Sequence, residues 1–337
     1  MYLGKTVNKI QKKINTTINQ FNKLDFISKA FIIFLIILFS RVILNNFSTN
    51  REYFENDEFN SNFEKKTDNN IYDKFYTKNY DKIYLNPAKN NYEIGIIEKE
   101  SSAQDKSAVK IIDVGCGTGY NVNKLNEKGY NIIGLDQSED MIKYANNQYS
   151  NCEFVNNNIL NTQSFDYNNF DIITCLGKTI YEIKDKNKFF ENCYSLLNNN
   201  GKMIVNIVNR EKFRPYVQNT KDNGVLFNPE DFNEEIKNMI IKFKNNMEFK
   251  SDYNKLYDKN NADSYELTDE NSIPYSVYNE EFVNFDKNKV KKYELNMYMP
   301  KKQSIENIAE SKGFKLISKH PMDEIKYNNE FLYVFKK

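Results

Sequence analysis

Short apolar runs alternate with amphipathic stretches from Ile71 to the end of the chain. Apolar runs of about four to eight residues bounded by turn residues are typical of buried strands, and apolar spacing of three and four is typical of helices. Strands are predicted at 109–115, 131–136, 152–157, 170–177 and 202–209, and helices at 119–128, 139–148 and before the last of these strands. This order favours an α/β fold, in which a mostly parallel sheet carries helices on both faces.

The C-terminal part has a different pattern. Residues 313–320 and 330–337 are two apolar runs with no helical stretch between them, so they are predicted to pair as an antiparallel hairpin and to complete a seven-stranded sheet. An insertion at about 210–297 precedes the hairpin. Its segments NNMEFKSDY, YSVYNEEFVNF and KVKKYELNMYM alternate apolar and polar residues, which predicts antiparallel strands.

The N-terminal residues 1–45 combine a lysine-rich amphipathic stretch with a hydrophobic segment at 26–44. A bilayer core needs roughly 17–25 apolar residues, and Lys29 and Arg41 near the ends can reach the headgroups, so this segment is predicted to be a membrane anchor, single-pass or monotopic. The side of the membrane stays open. A helix packed on the protein itself and a cleaved signal peptide are the alternatives. Residues 46–70 are polar and rich in asparagine, which predicts a linker.

Composition narrows the range of functions. The chain has 47 basic and 46 acidic side chains, and this balance argues against nucleic acid as a partner. Its four cysteines form no C-x-x-C pair and it has a single histidine, which argues against a zinc site and for reduced, buried thiols. Abundant Asn, Lys, Ile and Tyr indicate an AT-rich genome, which some large DNA viruses have, and this bears on no chemistry.

A glycine-rich turn follows the first predicted strand, in the segment IIDVGCGTGYNV. The strand ends in Asp113, and Gly115, Cys116, Gly117 and Gly119 lead into a helix. Glycines let the backbone bend sharply and let a ligand approach it closely. Loops at the carboxyl ends of parallel strands are where open sheets bind ligands. The dinucleotide fingerprint G-x-G-x-x-G would need a glycine at position 120, where this chain has tyrosine.

An acidic residue closes the second predicted strand in the segment GLDQSEDMIKYA. Asp136 stands 23 residues after Asp113, and its carboxylate can accept hydrogen bonds from both hydroxyls of an adenosine ribose. Gln137 and Met141 follow it in the same segment. The alternative is an aspartate on the surface that caps the next helix.

These two segments, D-x-G-x-G-x-G and D-x-S-x-x-M-x-x-x-A, resemble the motifs of class I S-adenosylmethionine-dependent methyltransferases. The resemblance covers about residues 71–337 and is densest at 109–209. It implies S-adenosyl-L-methionine as the cofactor and places the insertion over the substrate pocket. The cofactor-binding residues it implies are Asp113, Gly115, Cys116, Gly117, Gly119, Asp136, Gln137, Met141, Asn158, Ile159 and Leu176.

Some of these positions depart from the family pattern or have two interpretations. Asn158 stands where the family usually has an acidic residue near the adenine, so an amide oxygen would replace a carboxylate. The segment 72–84 has tyrosines every four residues, and the resemblance makes Tyr76 and Tyr80 candidates for a lid over the methyl donor. An amphipathic helix that buries these rings against the sheet is the alternative.

Methyl transfer needs a general base only where the nucleophile must lose a proton. The candidates are Tyr80, Tyr181 and Glu182, whereas His320 is predicted to be structural. The sequence thus predicts a membrane-tethered methyltransferase that acts on a small molecule or a protein, with its oligomeric state open. The alternatives are a non-catalytic scaffold that keeps the fold and an RNA methyltransferase, which the neutral net charge disfavours.

Overall fold

The computed structural model describes residues 63–161, 165–213, 238–243, 245–256 and 274–337, together with a few positions between 22 and 32. The chain divides into two units, 1–58 and 59–337, and every element named below belongs to the second unit. The predicted hydrophobic helix at 26–44 lies almost entirely outside the described residues. Within the described ranges, no helix has both the length and the apolar character that crossing a membrane requires.

The described ranges of the second unit contain twelve strands and seven α-helices. In chain order they are β1 (Phe63–Thr67), α1 (Lys74–Tyr84), α2 (Pro87–Ser101), β2 (Lys110–Val114), α3 (Tyr120–Glu127), β3 (Asn131–Asp136), α4 (Glu139–Gln148), β4 (Glu153–Asn156), β5 (Phe170–Cys175), α5 (Thr179–Glu182), α6 (Lys186–Leu196), β6 (Leu197–Val208), β7 (Asn238–Phe243), β8 (Met247–Lys255), β9 (Ser276–Asn284), β10 (Lys289–Met297), α7 (Lys302–Ser311), β11 (Lys315–Pro321) and β12 (Glu330–Lys336).

The larger sheet has seven strands in the order β11-β12-β6-β5-β2-β3-β4. The five neighbouring strands β6, β5, β2, β3 and β4 run parallel to one another. β12 is antiparallel to β6, and β11 is antiparallel to β12. This confirms the predicted mostly parallel sheet and its C-terminal hairpin. The strand order reverses between β2 and β5, and ligands bind beside the carboxyl ends of the strands at such a reversal.

Helices cover both faces of this sheet, as predicted, because successive side chains of its strands point to opposite sides. Ile111 and Ile172 belong to a hydrophobic core that includes residues of α2 and α3. Their neighbours Ile112 and Ile173 belong to another core, which includes residues of α6 and α7. All four isoleucines are at most 2% exposed, and burying each side chain stabilises the fold by about 1.5–3 kcal/mol.

The insertion builds a second sheet, with the order β1-β10-β9-β8-β7. Strands β7 to β10 are antiparallel neighbours, which agrees with the alternating pattern of the insertion. The fifth strand, β1, comes from the segment predicted to be a polar linker and pairs parallel with β10. Its charged side chains find partners there, since Lys65 contacts Glu294 at 2.9 Å and Glu64 contacts Lys291 at 3.0 Å. The linker prediction for 46–70 is therefore corrected at its C-terminal end.

Candidate functional site

A cavity of about 520 Å³ lies at the carboxyl ends of β2, β3 and β5. Its floor is the glycine-rich turn after β2 and the first residues after β3 and β5. Its walls and roof come from α1, α2 and the second sheet. Small-molecule sites in proteins have volumes in the range of roughly 300–1,000 Å³. Every residue predicted from the sequence to bind cofactor or to act as a base lines this cavity, with the exception of Gly119.

The glycine-rich turn takes left-handed backbone conformations that favour glycine. Gly115, Gly117 and Gly119 have φ angles of 72°, 55° and 85°. A Cβ on Gly115 would lie 2.4 Å from Thr179, whereas a Cβ on Gly117 would meet no atom within 4 Å and would project into open space. Since Gly117 lines the cavity, its missing side chain leaves room for a ligand on the floor.

Gly119 has a different role from the one predicted. A Cβ there would lie 2.6 Å from the ring of Phe154, and Gly119 is not part of the cavity wall. It starts α3 and lets β4 pack closely behind the turn. The resemblance correctly marked a required glycine, but the requirement comes from packing and not from a ligand.

Asp136 is fixed where β3 ends. Its carboxylate accepts hydrogen bonds from the backbone N–H of Gly117 at 2.9 Å and from that of Ser138 at 2.8 Å. Burial raises the pKa of this carboxyl group. Asp136 thus ties the turn after β2 to the start of α4 and faces the cavity, which rules out a solvent-facing cap as its whole role. A carboxylate oxygen can accept more than one hydrogen bond, so ribose hydroxyls can still bind the Asp136 carboxylate.

The end of the cavity beyond Asp136 has the composition of a site for a nucleobase. Buried Met141 and Ile159 supply apolar surface, and Gln137 and Asn158 supply amides. The Asn158 Nδ2 donates to Gln137 Oε1 at 3.2 Å, and its Oδ1 accepts from the backbone N–H of Leu160 at 2.8 Å. The amide that replaces the expected acid is therefore already ordered by its neighbours.

Two buried carboxyl groups lie near the other side of the glycine-rich turn. Asp113 accepts a hydrogen bond from Thr174 Oγ1 at 2.6 Å, and burial raises its pKa to about 7. Glu93 of α2 is 2% exposed, and burial raises its pKa to about 7 as well. Its Oε2 accepts a long bond of 3.4 Å from Asn121, and within the described part of the chain no group bonds to its Oε1.

Sequence reasoning missed Glu93, although a signal was present. It lies beside Ile94 and four residues before Ile97, and these two isoleucines form the buried stripe of α2. An acid on such a stripe costs free energy unless it is paired or serves a ligand.

This set of groups fits S-adenosylmethionine. The molecule carries an adenine, a ribose diol, a sulfonium and an amino group. Asp136 would hold the diol, and Asp113 and Glu93 would hold the amino group. Asn158, Ile159, Gln137 and Met141 would surround the adenine, and Gly115, Cys116, Gly117 and Leu176 would line the path between them.

Tyrosines line the substrate side of the cavity. Tyr72 donates a hydrogen bond to Glu182 at 2.8 Å, and Tyr76 donates one to Glu280 of β9 at 2.5 Å. Tyr84 also donates to Glu280. The ring of Tyr80 lies between them, with its centroid 6.1 Å from that of Tyr76 and 5.1 Å from that of Tyr84.

Both interpretations of the tyrosine-rich helix therefore apply at once. Tyr76 is buried against Phe282 and Tyr293 of the second sheet, as expected for an amphipathic helix. Tyr80 faces the cavity, as expected for a lid. Asp81 accepts a hydrogen bond from Thr118 Oγ1 at 2.7 Å, which ties the helix to the glycine-rich turn.

The structure separates the three candidate bases. The Tyr181 hydroxyl accepts a hydrogen bond from the backbone N–H of Val208 at 2.8 Å, and its ring is 1% exposed, so this residue serves the packing between α5 and β6. Burial raises the pKa of Tyr80 and Tyr181 above the usual tyrosine value, which disfavours both as bases near pH 7. Burial raises the pKa of Glu182 to about 7, in the range that general-base catalysis needs.

Lys178 was not singled out from the sequence, although it lies between the predicted residues Leu176 and Tyr181. Its Nζ is 4.1 Å from the ring centroid of Tyr278 and 5.0 Å from that of Tyr84. Burial lowers its pKa. His320, in contrast, lies away from the cavity and contacts Glu100 at 3.1 Å, in agreement with a structural role.

Comparison with known proteins gives a consistent assignment. Residues 105–270 match the family model of a methyltransferase domain. Over 148 residues the chain is 29% identical to a ubiquinone biosynthesis O-methyltransferase of Coxiella burnetii, covering 43% of this chain and 59% of that protein. Over 101 residues it is 33% identical to a phosphoethanolamine N-methyltransferase of Plasmodium falciparum, covering 28% of this chain and 38% of that protein. The matches thus span between about two fifths and three fifths of the length of these relatives.

A solved structure shares the fold. An S-adenosylmethionine-dependent methyltransferase from Clostridium acetobutylicum superposes with a TM-score of 0.54 at 17% identity, over 78% of this chain and 97% of that one. The family match agrees with the glycine-rich turn, the acid that closes β3 and the sheet order described above. It also confirms the predicted cofactor, S-adenosyl-L-methionine. The fold described above and the match over residues 105–270 together indicate a class I S-adenosylmethionine-dependent methyltransferase domain.

Proposed function

We propose that this chain transfers the methyl group of S-adenosylmethionine to a nucleophile on a small molecule. The observation that carries the proposal is one cavity with two chemically distinct ends. One end has the glycine-rich turn and Asp136, and the other has tyrosines and two glutamates. A cofactor at the first end and a substrate at the second would share a single enclosed volume, which is what direct transfer between them requires.

When bound, S-adenosylmethionine supplies a methyl group that a sulfonium has already activated. The residues of this chain therefore act by positioning and by excluding water. Asp136 and the backbone around Gly117 fix the floor, whereas α1 closes the cavity from above and is held to that floor through Asp81 and Thr118. Glu182 is the group that can take a proton from the nucleophile.

A small molecule is favoured over a protein side chain because the roof is built from buried residues. Tyr278 and Glu280 of β9 are 1% and 3% exposed, so the second sheet covers the substrate end. The relatives named above support this, since one is named for ubiquinone biosynthesis and the other for phosphoethanolamine.

Calorimetric titration with S-adenosylmethionine and S-adenosylhomocysteine tests the proposal. Both are expected to bind well below millimolar concentration, and Asp136→Ala is expected to weaken binding about tenfold or more, which corresponds to about 1.4 kcal/mol. Glu139→Ala is the matched control, because Glu139 is close in sequence but exposed and paired with Lys143. Absence of binding at millimolar cofactor would leave a non-catalytic scaffold as the function.

We also propose that residues 26–44 tether the enzyme to a membrane. The support is the sequence pattern alone, namely the length of the apolar segment and the basic stretch before it. The full chain is expected to float with liposomes, and Phe34→Asp combined with Ile37→Asp to stay in the dense fraction. Equal flotation of both proteins would contradict the proposal.

A further inference from the structure

Six residues form a small compartment at the substrate end of the cavity, which we name the amine chamber. They are Tyr80, Tyr84, Lys178, Glu182, Tyr278 and Glu280. They come from α1, from the segment around α5, which follows β5 of the large sheet, and from β9 of the second sheet. The tyrosine rings supply faces, and the two glutamates supply negative charge.

The walls of the cavity carry more acids than bases. Among the described lining residues, eight are aspartates or glutamates and three are lysines. Lys89 is already paired with Glu330 at 2.9 Å. The sulfonium and amino group of the cofactor can account for the acids near the glycine-rich turn, but Glu182 and Glu280 belong to the opposite end. Buried acids with too few counterions lower stability, so a further cation near them is favoured and a further anion is not.

The chamber already accommodates an alkylammonium group, that of Lys178. The Nζ stands 4.1 Å from the Tyr278 ring centroid, within the range of a cation–π interaction. Glu280 and Glu182 favour its charged form, whereas burial opposes it. The chamber thus has one ammonium group for two carboxyl groups, so a second cation would balance its charge.

The hydrogen-bonding groups of the amine chamber also favour a cation. The Glu280 oxygens accept from Tyr76 and Tyr84, which holds the carboxylate in place beneath the roof. The hydroxyl of Tyr80 bonds to no residue in the described parts of the chain, and its ring lies beside that of Tyr84. A nitrogen bearing hydrogens can donate to such oxygens and lie against the ring faces at the same time.

We propose that the methylated nucleophile is the nitrogen of a small primary or secondary amine, which enters the amine chamber as an ammonium ion. This inference rests on the proposed methyl transfer. The ammonium loses one proton to the Glu182 carboxylate and becomes a neutral amine. The nitrogen lone pair then forms the new N–C bond, the C–S bond of the methyl donor breaks, and its electron pair stays on sulfur. The product is an N-methylammonium ion and a neutral thioether.

The first experiment measures recognition of charge without any reaction. Choline and its neutral isostere 3,3-dimethylbutan-1-ol are titrated into the full chain saturated with S-adenosylhomocysteine. Choline is expected to bind about tenfold tighter or more, because only the cation interacts with the rings and carboxylates. Glu280→Gln is expected to remove most of this preference and to leave the affinity for S-adenosylhomocysteine within about twofold.

Glu281→Gln is the matched control, since Glu281 is the next residue on β9 and pairs with Lys292 at 3.0 Å on the other face. It is expected to change neither affinity. Should Glu280→Gln fail to fold, Glu182→Gln and the choline preference of the unmodified chain test the same claim. Equal binding of the two probes, or tighter binding of methylphosphonate than of choline, would overturn the inference.

The second experiment follows the chemistry. Small primary amines, phenols and carboxylic acids are incubated with the chain and S-adenosylmethionine, and products are identified by mass spectrometry. N-methylated products from the amines are expected. Products from phenols or carboxylic acids alone would refute the amine while leaving methyl transfer intact, whereas absence of cofactor binding would refute the proposed function itself.

Discussion

Glu93 shows how a single buried side chain can oppose folding and serve a ligand. It is 2% exposed, and its raised pKa of about 7 results chiefly from burial. A buried carboxyl group with an unbonded oxygen lowers the stability of the free protein. If it holds the cofactor's amino group, the same feature strengthens binding. Asp113, whose pKa is also raised to about 7, is at least bonded to Thr174.

We therefore expect Glu93→Gln to change stability and affinity in opposite directions. Because the folded-state pKa is raised from 4.5 to about 7, the protonated form is favoured by folding, and stability falls as pH rises through this window. The shift corresponds to about 3 kcal/mol. At pH 8 the variant is expected to melt roughly 5 °C or more above the unmodified chain, with little difference at pH 4.5.

The same variant is expected to bind S-adenosylmethionine about tenfold more weakly at pH 8. Thermal melts and calorimetric titrations at both pH values measure the two effects. Glu98→Gln is a control on the same helix, since Glu98 is paired at the surface with Lys106 and Lys128. A variant that gains stability without losing affinity would show that Glu93 does not contact the cofactor.

Among the elements, the strands of the large sheet were the most predictable from sequence. The apolar runs of the central strands β2, β5 and β6 are short, separated by helices and buried on both faces, so each run has one interpretation. β1 was not predictable in the same way. Its sequence, FEKKT, has little apolar character, and it becomes a strand because β10 offers an edge and opposite charges.

Glu280 marks the limit of prediction for the site. It comes from β9, 144 residues after Asp136, and nothing local indicates that the two meet in one cavity. Its position on the strand does carry a signal. Tyr278, Glu280 and Phe282 alternate on one buried face of β9, so an acid stands in an apolar register. The glycines after β2 and Asp136 after β3 could be predicted because they stand at the ends of two adjacent strands, close together in the sequence.

The turn after β2 gives a prediction at the level of this element. Gly117→Ala is expected to cost about 1 kcal/mol of stability from its φ of 55°, and to weaken S-adenosylmethionine binding about tenfold or more because the new methyl group enters the cavity. Gly129→Ala is the matched control. Gly129 also has a positive φ, of 91°, and open space around its Cβ, but it lies outside the cavity wall.

Both variants are expected to melt slightly below the unmodified chain, and only Gly117→Ala to lose affinity in calorimetric titration. Equal losses of affinity would mean that backbone strain, and not the blocked floor, controls binding. Unchanged affinity in both would place the cofactor elsewhere.

At the scale of the whole molecule, the two sheets line different parts of the cavity. The large sheet supplies the glycine-rich turn, Asp113 and Asp136, whereas the second sheet supplies Tyr278 and Glu280. Backbone and side-chain bonds join them. The N–H of Tyr298 donates to the Tyr181 carbonyl at 2.7 Å. Fully buried Arg210, just after β6, donates from Nη1 to the Met299 carbonyl at 2.9 Å.

Arg210 therefore ties the end of β6 in the large sheet to the segment that follows β10 in the second sheet, and its guanidinium also lies 4.8 Å from the ring centroid of Tyr275. Arg210→Met keeps much of the volume but leaves a buried carbonyl without this donor, at an expected cost of about 2–4 kcal/mol in the free energy of unfolding. Because the cofactor groups belong to the large sheet, the affinity for choline is expected to fall severalfold more than that for S-adenosylhomocysteine. Chemical denaturation and calorimetry measure both effects, and Lys212→Ala, at an exposed position two residues further on, is the control. Equal losses for the two ligands would mean that floor and roof form one cooperative site, in which the second sheet holds the cofactor as much as the substrate.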